Sequence, residues 1–521
     1  MKIERTKNAT RNIVFVGTLK IFQLLVPFLM RTIMLRVMGV QYLGLNGLFY
    51  SILEVLNLAE LGVGSAMVYS MYKPIAEDDK VTICALMRLY KVYYRIIGLI
   101  IAVIGMALTP VIPHLIKDSV PPDINIYILY WMNLGITVLS YWLFAYKNSL
   151  FTAYQREDIV SKVRLATLIV QYSVQVVILV AFHNYYLYVI VALLSQALNN
   201  IITAIVVTHY YPDYSAKGII DKKTKSEINA RIRDLFTSKL GGVIVNQADT
   251  IVISAFLGLE ILAVYQNYYY FFSAVAGMIA VVYTASLSGI GNSIIVDTKE
   301  KVYGDFKTFS FIIAWIAGFC CCCFICLYQP TIELWVGKKL MLDFGVVICI
   351  VFYFFVYEIN TLLNVYKDAS GTWHKDRFRT IVTALTNLLL NLLMVNYIGL
   401  YGIVLSTVLS ILFVGMPWLF QNLFTEVFER KYVFSYIRKL LIYVLTSVIV
   451  VFVTYFVASK VVVSLLGTIL IRLCICIVLP NILFFIVYRN MPEYNKAIDF
   501  IIKATHNKIP FLGKLKRKRW D

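Results

Sequence analysis

The sequence predicts an all-α integral membrane protein of about fourteen transmembrane helices: two pseudo-symmetric six-helix lobes followed by two further helices. Three observations carry this. Of the 521 residues 60% are hydrophobic and only 15% charged, far outside the range of a soluble domain. Lys and Arg concentrate in every second gap between apolar stretches, with 37 on the side of the N-terminus and four (Lys117, Lys338, Lys339 and Lys460) on the other. That asymmetry places both termini in the cytoplasm and requires an even number of spans, as expected of a multi-pass protein of the bacterial inner membrane. Finally, the polar stretch 212–236 divides the chain into six spans and six, with two more following. Six is even, so the first and seventh helices run in the same direction, as a parallel repeat requires.

The first span, 12–38, is long and broken by Lys20, Arg31 and Arg36, so it reads as a permanent helix rather than a cleaved leader. Spans at 43–70, 84–110, 124–146, 159–182 and 185–210 complete an N-terminal lobe over 1–211. The basic linker 212–236 leads to spans at 237–257, 261–290, 308–328, 343–366, 378–396 and 399–424, a second lobe over 237–425. Two extra spans, 435–458 and 464–488, occupy 426–490. The tail 491–521 alternates Ile498, Ile501 and Ile502 with lysines and ends in a basic run, which suits a segment lying on anionic lipid. At an offset of 219 residues Gly39 matches Gly258, Leu43 matches Leu262, Ala66 matches Ala285, Asp78 matches Asp297 and Lys80 matches Lys299, the trace of an internal repeat.

Several functions are disfavoured. The net charge of +19 is accounted for by topology and lipid head groups and does not call for nucleic acid. There is no phosphate-binding Walker loop and no nucleophile elbow, so ATP-driven pumping and hydrolysis are not expected. Energy would come from an ion gradient, the membrane potential or the substrate gradient. The longest outer loops, near 111–123 and 329–342, cannot house a catalytic domain. The nine cysteines all lie within or at the ends of apolar stretches, and Cys323-x-x-Cys326 has no second pair and no nearby His, so they read as packing residues and no metal is expected. Most of the 37 tyrosines suit interfacial belts, while a few could stack on sugar rings.

The chemistry therefore lies between helices, where ionisable groups are expensive: about 2.5–3.5 kcal/mol at the bilayer centre on insertion scales. Lys20, Pro27 and Arg31 fall within about 20° of one face of the first span, with Pro27 a hinge between two cavity-facing cations. Arg36 suits a snorkelling residue near the outer end. Arg88, Lys91 and Arg95 form a stripe in the third span; Arg88 suits an anchor as well as a cavity residue, whereas Arg95 lies three turns deep. Clustered guanidinium and ammonium groups suit an anionic, phosphate-bearing substrate. Glu54, Asn57 and Glu60 share an arc of the second span and could neutralise those bases. Glu358 and Asp249 are further acids within spans, and Asp249, without a basic neighbour in its own span, suits a cation or proton. Thr380, Thr383, Asn387 and Asn391 form a polar stripe that suits interhelical hydrogen bonding. Gly241, Gly242 and Pro417 are natural bending points.

From Pro27 to Asp79, and most specifically in YLGLNGLF, LAELGVGSA and YKPIAEDD, the chain resembles the bacterial polysaccharide repeat-unit (Wzx-like) flippases. These belong to a superfamily shared with multidrug extruders and peptidoglycan-precursor flippases. The resemblance implies alternating access and a cargo of oligosaccharide on polyprenyl diphosphate, moved to the outer leaflet, with polysaccharide polymerase and assembly proteins as further partners. It marks Arg31, Lys20 and Arg95 as cavity cations. It also implies a coupling-cation site for Na+ or H+ at Asp249, Asn387 and Thr407, by analogy with the peptidoglycan-precursor branch. Unlike that branch, this chain has no arginine in its second or eighth span, which favours the polysaccharide branch. The alternatives are a cation-coupled multidrug extruder, against which the excess of basic over acidic residues speaks, and a membrane polysaccharide polymerase or ligase. The latter is an enzyme that would need a larger outer loop than this chain has.

Overall fold

The computed structural model describes residues 5–117 and 120–504. The basic end of the tail, 505–521, lies outside the described residues. Every regular element among those described is helical. The chain divides into two compact units, Met1–Ala263 and Val264–Asp521.

The first unit contains α1 (Arg5–Val37), α2 (Val40–Leu56), α3 (Val63–Ala76), α4 (Lys80–Leu108), α5 (Ile126–Trp142), α6 (Asn148–Ala153), α7 (Glu157–Val177), α8 (Tyr185–Tyr210) and α9 (Lys222–Leu257). Helix α10 (Leu259–Val296) begins in it and continues into the second unit. Polar caps mark where the spans start. Asp79 accepts from the Thr82 backbone N–H at 3.0 Å, Asn184 from Leu187 at 3.0 Å and Asp221 from Thr224 at 2.8 Å. Hydrogen bonds from Thr82 hold the Asp79 carboxyl below the usual carboxylate range, and the Thr224 N–H does the same for Asp221. Helix α1 lies along α7, where Asn12 donates to the Gln155 carbonyl at 3.0 Å and accepts from the Asp158 N–H at 2.8 Å.

The second span is not one helix. It breaks after α2 into a 3-10 turn over Asn57–Glu60, passes Gly62 in a left-handed conformation (φ +87°) and resumes as α3. Glycine is required there twice over: a Cβ at Gly62 would lie 2.6 Å from Leu235 Cβ and 3.2 Å from the Ile232 carbonyl oxygen, because α9 packs directly against the break. Earlier in the span, in α2, a Cβ on Gly44 would lie 2.3 Å from the Leu259 carbonyl oxygen. The internal repeat is visible in the turns. Gly39, between spans one and two, and Gly258, between spans seven and eight, adopt matching φ values of +105° and +100°.

The second unit contains the remainder of α10, then α11 (Lys299–Val336), α12 (Phe344–Ser370), the short α13 (Trp373–Asp376), α14 (Arg379–Ser410), α15 (Met416–Glu426), α16 (Val433–Ser459), α17 (Leu465–Tyr488) and α18 (Pro492–Ala504). Helix α11 is packed on several sides, by α12, α16 and α17. The continuous stretch 379–426 is two spans: Ile398 and Gly399 leave helical geometry, and Asn387 reaches Thr407 at 2.9 Å. Twenty residues of straight helix would separate that pair by about 30 Å. Among the described residues, twelve helices are long and apolar enough to cross a membrane; dividing this hairpin, and taking the bent pair 126–142 and 145–153 as one span, brings the number to fourteen. The apolar outer faces agree with that reading, as in α16, where Leu445, Val448 and Phe452 are 57–68% exposed.

Several tyrosines belong to the interior and not to a belt at the membrane surface. Tyr268 is fully buried, donates to Gln329 Oε1 at 2.8 Å and accepts from the Leu342 N–H at 3.1 Å. Tyr130, Tyr185, Tyr436, Tyr443 and Tyr488 are likewise enclosed. Their hydroxyls need partners that only specific neighbours supply, which residue type alone does not reveal.

Candidate functional site

In the first unit the span-three cations are distributed around α4. Arg88 is exposed and donates to the Gly218 carbonyl at 2.9 Å, tying α4 to the loop that precedes α9. Lys91 lies 5.7 Å above the Tyr146 ring, and Arg95, exposed, is within electrostatic reach of the same tyrosine. Trp142 Nε1 donates to the Arg95 carbonyl at 3.2 Å, a close approach made possible by Gly98, where a Cβ would lie 2.2 Å from that nitrogen. On α1, Lys20 is exposed, while Arg31 is half-buried and within electrostatic reach of Tyr188 on α8. The structure thus gives Arg31 and the α4 stripe different tyrosine neighbours. Pro27 lies inside an otherwise continuous α1, and Gly241 and Gly242 inside a continuous α9.

Among the described residues, the acids and amide of the second span bond tyrosines, where one sequence reading had the acids neutralise the bases of spans one and three. Glu60 Oε1 accepts from the Gly64 N–H at 3.3 Å and from Tyr94 Oη at 3.4 Å, and Tyr90 Oη donates to Tyr94 Oη at 2.5 Å. Tyr141 Oη donates to Asn57 Oδ1 at 3.1 Å, and Tyr50 lies within electrostatic reach of Glu54. Lys239 on α9 adds a positive field at Glu60. The break in the second span positions this group, because the 3-10 turn points Asn57 and Glu60 at α4 and α5.

In the second unit Glu358 is fully buried; Tyr283 Oη donates to its Oε2 at 2.9 Å and to its backbone carbonyl at 3.0 Å. Asn387 and Thr407 are joined directly, and Asn391 Nδ2 donates to Asn387 Oδ1 at 3.4 Å, extending the hydrogen-bonded polar stripe. Asp249, the third member of the expected cation site, lies buried on α9 in the first unit. No cluster of three His, Cys, Asp or Glu suited to a metal occurs among the described residues.

One buried ionic cluster was not anticipated. Arg379 holds Asp376 through two hydrogen bonds of 2.7 and 2.8 Å and donates to Asn364 Oδ1 at 2.8 Å. Lys367 lies 3.6 Å from Asp376, and Asn422 donates to Asp376 at 3.1 Å. Lys367, Asp376 and Arg379 are at most 7% exposed. The sequence counted Lys367 and Arg379 as cytoplasmic topology signals; the spacing of three between Asp376 and Arg379 was the available sign of a pair.

A family model described as polysaccharide biosynthesis protein matches residues 9–288, more than half of the chain. The chain belongs to the polysaccharide biosynthesis protein family. This agrees with the resemblance carried by YLGLNGLF and LAELGVGSA. Among solved structures it is similar to lipid II flippase MurJ in an inward-closed conformation, with TM-score 0.68 and 18% identity over 92% of this chain and 99% of that one. It is also similar to an inward-facing multidrug resistance MATE family transporter of the MOP superfamily, with TM-score 0.56 and 15% identity over 74% and 93%. A Vibrio cholerae MATE transporter aligns with TM-score 0.52 and 13% identity over 81% and 98%. No curated protein matches the sequence. At these identities the structures establish the fold: a multi-pass membrane protein of the MurJ and MATE type.

Proposed function

We propose that this polysaccharide biosynthesis protein moves polyprenyl-diphosphate-linked oligosaccharide units from the inner to the outer leaflet of a bacterial cytoplasmic membrane, by alternating access and with both termini in the cytoplasm. The observation that carries the reading is the set of cations held within spans one and three, Lys20, Arg31, Arg88, Lys91 and Arg95, in a chain of this family and fold. A solved structure of similar fold is a lipid II flippase, which supports a lipid-linked cargo. Guanidinium groups match phosphate oxygens bidentately, so a diphosphate head group is the part of such a cargo they would hold. A coupling cation, Na+ or H+, completes the proposal, with Asp249, Asn387 and Thr407 as its candidate ligands.

The test is leaflet transfer in proteoliposomes, read by lectin access to a polyprenyl-diphosphate oligosaccharide. Wild type should transfer the lipid, and Arg31→Ala should reduce transfer at least about tenfold, the scale of one lost charge-assisted contact. Transfer unchanged by Arg31→Ala would remove that residue from the mechanism; no transfer by wild type would overturn the reading.

A further inference from the structure

The acid and tyrosine group of the second span has no role in holding a diphosphate, yet it is placed where a polar group is expensive. Within the first unit it runs from Tyr50 through Glu54 and Asn57 to Glu60 along the broken span, and is faced by Tyr90 and Tyr94 of α4 and Tyr141 of α5. The Tyr94 and Tyr141 rings meet edge-on at 5.3 Å and 88°, and Tyr90 and Tyr94 at 4.3 Å. Satisfying the broken backbone accounts for part of it, since Glu60 takes the Gly64 N–H. It does not account for Tyr50 and Glu54, which lie before the break, with Tyr50 63% exposed. Among the described residues Glu54 and Glu60 form no ion pair, and Lys239 reaches Glu60 only as a more distant positive field.

From Tyr50 to Glu60 the span covers about 15 Å, the length of a short oligosaccharide. Aromatic faces beside carboxylate and amide acceptors are the groups that grip sugars: rings take the C–H faces, and acceptors take pairs of hydroxyls. Carboxylates without a paired base reject a second carboxylate by like-charge repulsion.

We propose that Tyr50, Glu54, Asn57, Glu60, Tyr94 and Tyr141 form the sugar subsite of this protein, selecting neutral or amine-bearing sugars over uronates. The inference rests on the proposed cargo, and one binding experiment separates the two. Detergent-solubilised full-length protein is titrated by native mass spectrometry with three lipids: polyprenyl diphosphate alone, the same lipid bearing a neutral tetrasaccharide, and the same bearing a uronate-containing tetrasaccharide. Wild type should bind the neutral form about tenfold more tightly than the sugar-free lipid and the uronate form more weakly than the neutral. Tyr141→Leu should abolish the sugar preference while leaving sugar-free affinity unchanged. Glu54→Gln with Glu60→Gln, which preserves side-chain shape if the tyrosine variant does not fold, should bring uronate and neutral forms to equal affinity. Equal wild-type binding with and without sugar, or uronate discrimination that persists in the double variant, overturns the subsite. Failure to bind any of the three overturns the cargo reading beneath it.

Discussion

Asp376 illustrates how one buried side chain governs its neighbours. It is the acid between Arg379 and Lys367, all three enclosed, so Asp376→Ala strands the Arg379 guanidinium away from water, while Lys367 keeps Asp368 at 2.8 Å. Breaking a buried pair from one side costs about 3–5 kcal/mol, far more than an exposed pair would. Purified Asp376→Ala should therefore show a marked fall in melting temperature, with partial recovery in Asp376→Ala combined with Arg379→Ala; equal stability of the single variant and wild type would contradict the burial. At this scale the sequence was only partly legible. It singled out Arg31, Arg95, Glu60 and Glu358 because a charge inside an apolar run has no inexpensive explanation. It could not say that Glu60 faces tyrosines and not arginines, since partners across helices depend on helix rotation, which residue spacing does not fix.

At the level of elements, the apolar runs located nearly every span, because about 20 apolar residues suffice to mark one. The break at Asn57–Gly62 escaped because its sequence, with Leu58, Ala59 and Leu61, keeps the apolar character of a continuous helix. Only the position of α9 shows why Gly62 is needed. A side chain there pays a left-handed backbone cost of about 1–2 kcal/mol and also collides with Leu235. Gly62→Val is expected to lower the melting temperature and to increase hydrogen exchange in both α3 and α9; an effect confined to α3 would mean that α9 is not seated on the break. The ridge of interior tyrosines follows the same lesson, since Tyr268 and Tyr283 look like belt residues until their hydroxyl partners are known.

For the whole molecule, the charge asymmetry and the paired turns at Gly39 and Gly258 agree with a chain built from a repeated half. The asymmetry of Lys and Arg predicts that a C-terminal green fluorescent protein fusion will fluoresce and a C-terminal alkaline phosphatase fusion will be inactive; the opposite pattern would reverse the topology. The broken second span also has a consequence for biogenesis. As it leaves the ribosome, this segment presents Glu54, Asn57 and Glu60 to the translocon with no tyrosine yet synthesised to receive Glu60, since Tyr90, Tyr94 and Tyr141 lie downstream. Acidic residues near the middle of a helix oppose its partition into lipid. The second span should accordingly remain at the translocon until the third and fourth emerge, so that the group proposed to hold sugar in the mature protein also delays its entry into the bilayer.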